Sequence, residues 1–428
     1  WWWPLMSYTV RNTSTSYSGT SPKRHLHPHR PTAAPKPRRG NSKNKNAGPC
    51  YQYVMMEFAD GGDMEEACKL QQGNKMMWPT ERLAPMLYQM LFSMYAAQKE
   101  LTLRHYDVKL LNFFLKTPTI DEPVDISDDT GSASSQTMSI RYGVLGRSHR
   151  FELPTDEPSL CVLADFGTAD INPSTLHQRI TTQHFTTLEN TPPDFLLLGN
   201  HAVQDYQADA FALGLCWLHM LTGRAPYEEL LASCKCPPEL MKALDAVWLT
   251  IPDDADTSPG ALGWQYKPVK KLIDGDDDEE NVLHHTLYRF LCLFGPADDQ
   301  GEEEADEEAA KVVAAAAKSR EGSSSAICDS DAWKAVRKWL DTTSGRKAFA
   351  KDRKEYSAFT GKNKHLVEAQ KRMAKVPGSK AMLRGLTLFD PSKRWSIKAD
   401  LASKMFDAYG CGKMERATHA FVDYLGDK

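Results

Sequence analysis

Apolar residues at Leu83, Met86, Leu87, Met90, Leu91 and Met94 recur with three- and four-residue spacing, which predicts a helix from Thr80 to Gln98 with a Met-rich core stripe. The run DAFALGLCWLHMLTG, from Asp209 to Gly223, is apolar on nearly every face and predicts a helix buried all round. Strand-length apolar runs occur at YQYVMMEF, Tyr51 to Phe58, before the turn-rich ADGGDM, and at Cys161 to Ala164. SIRYGVLGRSHRFEL alternates as a two-stranded hairpin around LGRS, following an acidic, Ser-rich piece. The expected class is therefore α+β with more helix than strand.

Other stretches lack such order. Residues 1–50 are rich in Ser, Pro, Asn, Lys, Arg and His, show neither helical nor core-strand periodicity, and read as a disordered basic linker or insertion. From 228 to 380 come the acidic runs DGDDDEE and EEEADEEAAK, the helix-prone AAKVVAAAAKSR and the Lys-rich RKAFAKDRKEY. The acidic runs read as solvated insertion rather than as a binding site.

Composition narrows the class. With 41% hydrophobic and 25% charged residues the 428-residue chain is that of a soluble globular protein, and its net charge of -4 conceals strong local asymmetry. Nine scattered cysteines, only Cys234 and Cys236 being close, point to a reduced intracellular chain, and no further ligands near that pair suggest a metal. No run has the apolar length of a membrane span, and WWWPLM is too short for a signal peptide.

The chemistry-bearing stretch is RHYDVKLLNFFL, Arg104 to Leu115, taken with ADFGT, Ala164 to Thr168. An Asp, a Lys two residues on and an Asn five residues on suit phosphoryl transfer. The carboxylate reaches the attacking hydroxyl, the ammonium the transferred phosphate, and the amide oxygen a Mg²⁺ ion. Asp165 supplies the further carboxylate needed to hold metal against phosphate oxygens.

In this order the two motifs resemble the catalytic and metal loops of the protein kinase family. Pro193-Asp194 resembles the family's Pro-Glu, and LRGLTLFDPSKRWS its closing L-x-x-D-P-x-x-R. The resemblance implies a kinase-like domain over residues 51–410, mostly helical large lobe plus a remnant of the small β lobe, with insertions at about 117–158 and 228–380 and a tail at 411–428. It implies a serine/threonine kinase using ATP and Mg²⁺ on protein substrates, in the cytoplasm or nucleus, with neither membrane nor nucleic acid as partner. Asp107 would be the base or positioning carboxylate, Lys109 the stabiliser of the γ-phosphoryl group, and Asn112 and Asp165 the metal ligands. Met56 would be the gatekeeper, with the Glu57 and Ala59 backbone pairing with adenine and Asp63 reaching the ribose. Phe114, backed by Ala164, would floor the adenine. Thr187 would sit beside Asp107 and Lys109, Asp209 would hold the catalytic-loop backbone, and Arg394 would pair with Asp194.

Two departures from the family qualify this. Tyr106 stands where the family has an Arg that clamps an activation-loop phosphate, which implies that phosphorylation at Thr181, Thr182, Thr186 or Thr187 is not what switches the site on. Residues 1–50 contain only Gly19, Gly40 and Gly48 and no carboxylate, so neither the glycine loop nor the Lys-Glu pair can be built from them. The expectation is that those parts lie upstream of Trp1. The alternative is a catalytically inactive pseudokinase acting as a protein-interaction scaffold. A small-molecule kinase shares H-x-D-x-x-x-x-N but gives no reason for the buried helix with the distant DP-x-x-R, and ranks last.

Overall fold

The computed structural model describes residues 7–10, 51–54, 58–71, 75–76, 78–117, 137–144, 147–154, 159–181, 184, 186–226, 230–249, 282–295, 327–401, 403, 405–406 and 414–416. Met56, Glu57, Thr182, both acidic runs and AAKVVAAAAKSR lie outside them. Two compact units divide the chain, Trp1–Phe58 and Ala59–Lys428. In the first, β1 (Ser7–Val10) runs antiparallel to β2 (Tyr51–Val54), Ser7 opposite Val54. No strand was expected before residue 50. SYTV is too short to show a period, but its aromatic and β-branched residues suit a strand once a partner exists.

The second unit mixes α and β and is mostly helical. It begins with α1 (Met64–Cys68), the two-residue strands β3 (Leu70–Gln71) and β4 (Lys75–Met76), and α2 (Thr80–Leu101), whose whole apolar stripe is buried. β5 (Phe113–Lys116) pairs antiparallel with β8 (Leu160–Leu163), Phe113 opposite Leu163 and Lys116 opposite Leu160. Between them in sequence lies the hairpin β6 (Thr137–Val144) and β7 (Arg147–Pro154), Val144 opposite Arg147. The intervening residues thus leave and rejoin at the Lys116/Leu160 end of the β5–β8 pair. The other end, at Asn112 and Ala164, stays closed.

After α3 (Pro193–Leu198) comes α4 (Gln207–Thr222), every residue of which is buried. A helix this apolar can be satisfied only by neighbours on all sides, and it forms the centre of the core. α5 (Pro238–Trp248), α6 (Val282–Phe294), α7 (Asp331–Leu340), α8 (Thr343–Tyr356), α9 (Lys364–Lys375), α10 (Ser379–Leu386) and α11 (Ile397–Leu401) follow, and β9 (Met414–Arg416) extends β7. Gly214 lets α10 approach α4, because a Cβ there would lie 2.6 Å from Thr387 Cγ2 and 2.9 Å from Leu386 Cβ. Buried Arg372 of α9 donates to the Met220 and Leu221 carbonyls at the C-terminal end of α4 and to the Trp78 carbonyl before α2. A cation suits that negative helix end.

The stretch expected as insertion from 228 to 380 supplies much of this core. Leu240, Leu244 and Trp248 of α5, Leu287 and Phe290 of α6, and Val336 and Trp339 of α7 join the same hydrophobic cluster. Ala332, Val336 and Trp339 are one amphipathic face, but short helices separated by acidic runs carry little periodic signal each. Among the described residues no helix is long and apolar enough to cross a membrane.

Candidate functional site

The loop after α2 is held from three directions. Thr102 ends the helix in the left-handed conformation, and Arg104, fully buried, exchanges backbone hydrogen bonds with Asp170 at 2.9 and 2.8 Å. Its guanidinium meets the Asp170 carboxylate at 3.0 Å and donates to the Thr102 and Asn172 carbonyls and the Thr175 hydroxyl. From the core side, the Asp209 carboxylate accepts from the His105 amide at 2.8 Å and the Tyr106 amide at 2.9 Å. Burial pushes the Asp209 carboxyl upward, while the nearby His105 and the two amides pull against it. The third tie is His105, whose Nε2 lies 3.0 Å from the Ala164 carbonyl and whose own carbonyl accepts from Thr168 Oγ1.

Those ties bring four side chains together. The Asp107 carboxylate lies 3.0 Å from Lys109 Nζ and accepts from Thr187 Oγ1 at 2.6 Å, and Lys109 Nζ is 3.4 Å from the same hydroxyl. The Asn112 amide nitrogen donates to the Asp107 carbonyl at 2.8 Å and to its carboxylate at 3.1 Å. The amide nitrogen is thus turned to Asp107, which leaves the amide oxygen as the atom that could meet a cation. Burial works to raise the Asp107 carboxyl, but hydrogen bonds from Thr187, Lys109 and Asn112 outweigh it and hold the group below its usual range.

Asp165 enters through the strand. The Asn112 carbonyl accepts from the Ala164 amide at 2.9 Å, which sets the exposed Asp165 next to the closed end of the β5–β8 pair. Asp165 has φ of +57° and Tyr106 φ of +61°, both in the left-handed region that side chains avoid. Such conformations cost on the order of 1 to 3 kcal/mol and concentrate where geometry serves chemistry. Asn112 and Asp165 offer an amide oxygen and a carboxylate, hard donors suited to Mg²⁺. Among the described residues no group of three or more His, Cys, Asp or Glu converges as a metal centre would, the Cys234/Cys236 pair included.

Of the expected nucleotide contacts, Met56 and Glu57 lie outside the described residues. Asp63 forms a bridge with Phe114 and caps α1, accepting from the Glu66 amide at 2.9 Å, so this carboxylate already has a local partner. The Gly61 amide donates to the Leu115 carbonyl at 2.9 Å, and a Cβ on Gly61 would lie 2.7 Å from Leu115 Cβ. Phe114 stands opposite Val162 in the strand pair, two residues before Ala164. Asp63 and Phe114 thus meet on β5, which begins directly after Asn112, Ala164 bonds the Asn112 carbonyl, and half-buried Ala59 lies two residues before Gly61.

Arg394, fully buried, pairs with Asp194 and donates to the Leu388 and Gln207 carbonyls, each at 2.8 Å. Three participants were not singled out from the sequence. Arg104 opens the loop motif, but its partner Asp170 is distant in sequence. Gln204 accepts from the Tyr106 phenol at 3.3 Å, ties His177 and Gln178 through its backbone, and donates from its side-chain amide to the Arg179 carbonyl at 3.3 Å. His219 of α4 lines a cavity of about 110 Å³ with Glu65, Lys109, Thr187 and Glu189, and nothing in an apolar helix marks it in advance. No protein-family model matches the chain, and no curated protein sequence matches it either.

Proposed function

We propose that this chain is a serine/threonine protein kinase, transferring the γ-phosphoryl group of Mg-ATP to protein hydroxyls, with a kinase-like large lobe in residues 59–406. The observation that carries the reading is the single hydrogen-bonded cluster of Asp107, Lys109, Asn112 and Thr187, tied through the Asn112 carbonyl to the strand end that bears Asp165. Phosphoryl transfer asks a protein chiefly for positioning and charge stabilisation, and these groups supply both.

In this reading Asp107, ionised at neutral pH, orients the substrate hydroxyl and accepts its proton. Lys109 turns from Asp107 to the transferring phosphate, and Thr187 keeps the substrate loop beside both. Asn112 and Asp165 would hold Mg²⁺, which when bound neutralises charge on the phosphate oxygens. Phe114 and Ala164 would lie under the adenine, and the Asp194–Arg394 pair would fix the base of the substrate loop. The cysteines described, all free and buried, fit a reduced compartment, and we place the protein in the cytoplasm.

A Mg²⁺-dependent thermal shift with ATP, followed by transfer of labelled phosphate to Ser/Thr peptides, tests this on the product of the longest transcript that encodes the chain. Wild type should shift and transfer, Asp165→Asn should lose the Mg²⁺ dependence, and Asp107→Asn should bind but not transfer. A shift without transfer in wild type would favour the second reading, a pseudokinase scaffold. The carboxylate-free residues 1–50 support that alternative. No shift and no transfer would remove nucleotide chemistry altogether.

A further inference from the structure

The segment between Thr168 and α3 is gripped from one side by a single aromatic residue. Tyr106 is 9% exposed, and its ring meets that of His184 edge to face, with centroids 4.7 Å apart at 74°. Its phenol donates to Gln204, whose amide donates to the Gln178 carbonyl at 2.8 Å and whose carbonyl accepts from the His177 amide at 2.8 Å. Its own carbonyl accepts from Thr186 Oγ1 at 2.6 Å, immediately before the Thr187 that touches Asp107. His184 in turn accepts at Nδ1 from the Thr181 amide at 2.9 Å. One side chain and its carbonyl therefore contact the segment directly at 184 and 186, and through Gln204 at 177 and 178.

We infer that Tyr106 is a positioning residue: it holds the segment at His177, Gln178, His184 and Thr186 with neutral contacts, and thereby keeps Thr187 on Asp107. Burial pushes the Tyr106 phenol far above its usual range, so the side chain carries no charge at working pH. A guanidinium at the same place would be a buried cation that needs a bound anion, and the Asp209 carboxylate close by is already accepting two amides. The aromatic contact needs no such partner. Ordering of the segment is then built in rather than switched on by added phosphate. The left-handed backbone at Tyr106 fits this assignment, because it turns the ring toward the segment while the amide stays on Asp209.

Arg179 gives a direct readout. It is exposed and lies in the gripped stretch, with Ile180 buried directly after it. Limited trypsin digestion of the full chain, with the Arg179–Ile180 cut followed by fragment mass, reports how often the segment opens. Tyr106→Ala should speed this cut by about tenfold or more, His184→Ala by roughly threefold, and Tyr106→Phe by less than about threefold, the phenol contact being long. Tyr106→Leu serves should the alanine variant fail to fold, and should speed the cut comparably. Wild-type cleavage rates in folded Tyr106→Leu and His184→Ala proteins would overturn the assignment.

The catalytic consequence rests on the kinase reading. There, Tyr106→Leu should raise KM for the protein substrate about tenfold and leave KM for ATP unchanged, and phosphatase treatment should leave wild-type activity intact. Loss of activity on phosphatase treatment would overturn it. Absence of any transfer by wild type would sink the kinase reading alone, since the cleavage rates still decide whether Tyr106 holds the segment.

Discussion

Two ion pairs that flank residues 187–194 differ in how they are enclosed. The Arg394 and Asp194 side chains are 0% and 6% exposed, and the guanidinium also donates to the carbonyls of Gln207, Leu388 and Phe389 and lies over the Phe211 ring. Lys109 and Asp107 are 29% and 11% exposed, and each shares its charge with the Thr187 hydroxyl. A sealed pair in which every guanidinium nitrogen already has a partner can only hold a shape. A half-open pair with exchangeable partners can let go of one and take up another, which a reaction needs. Both are ion pairs by distance, and their surroundings decide the role.

The largest effect should come from unsealing the first pair. Arg394→Met leaves the Asp194 carboxylate buried without its cation and should cost about 3 to 5 kcal/mol, read as a lower urea midpoint. A change below about 1 kcal/mol would mean that the two pairs are energetically alike and the contrast fails.

The next effect probes the half-open side. His219 lines the cavity beside Lys109, and burial pushes its imidazole down to about 4. Its folded value lies below the unfolded one near 6.5, so the unfolded chain binds the extra proton. Stability should therefore be full above about pH 6.5 and fall on acidification toward pH 4, by on the order of 3 kcal/mol for this group. His219→Phe should flatten that part of the stability profile relative to wild type. His285, also pushed down to about 4, stays common to both proteins and cancels in the difference.

The smallest stability effect should accompany the largest functional one. Asp107→Asn should change stability by less than about 1 kcal/mol at pH 7, since Lys109 can turn to water. In the proposed kinase it should abolish transfer. It should also soften the acid limb. The Asp107 carboxyl is held low, so its share of stability is present above its unfolded value of 3.8 and is lost as pH falls through the lower folded value. The same holds for Asp170, which burial would raise but which Thr175, the Asn172 amide and Arg104 hold low, so a residual acid transition should persist in the variant.

Much of the framework was readable in the chain. The stripe of α2, the wholly apolar α4 and the β6–β7 alternation are local patterns, and local patterns survive without knowledge of the partner. The loop residues were readable too, because Asp107, Lys109 and Asn112 sit within six residues and their spacing alone restricts how they can meet. The helices between 228 and 380 were not, since each buries a short face against neighbours whose own faces come from elsewhere. Trp339 on Tyr288, or Arg372 under α4, has no sequence signature until those helices are packed. Tyr106 was visible as a departure from the expected Arg, but its partners His184 and Gln204 were not.

What the sequence by itself determined is which stretches bury themselves and which residue types crowd one loop, because side-chain polarity and backbone periodicity are properties of neighbours along the chain. Only the tertiary structure decided that Arg104 would lock onto Asp170, that Tyr106 would meet His184 and Gln204, and that one ion pair would be sealed and the other left half-open. Those outcomes depend on segments tens to hundreds of residues apart arriving at one place. Desolvation and hydrogen-bond competition, which set the charge states there, exist only once they have arrived.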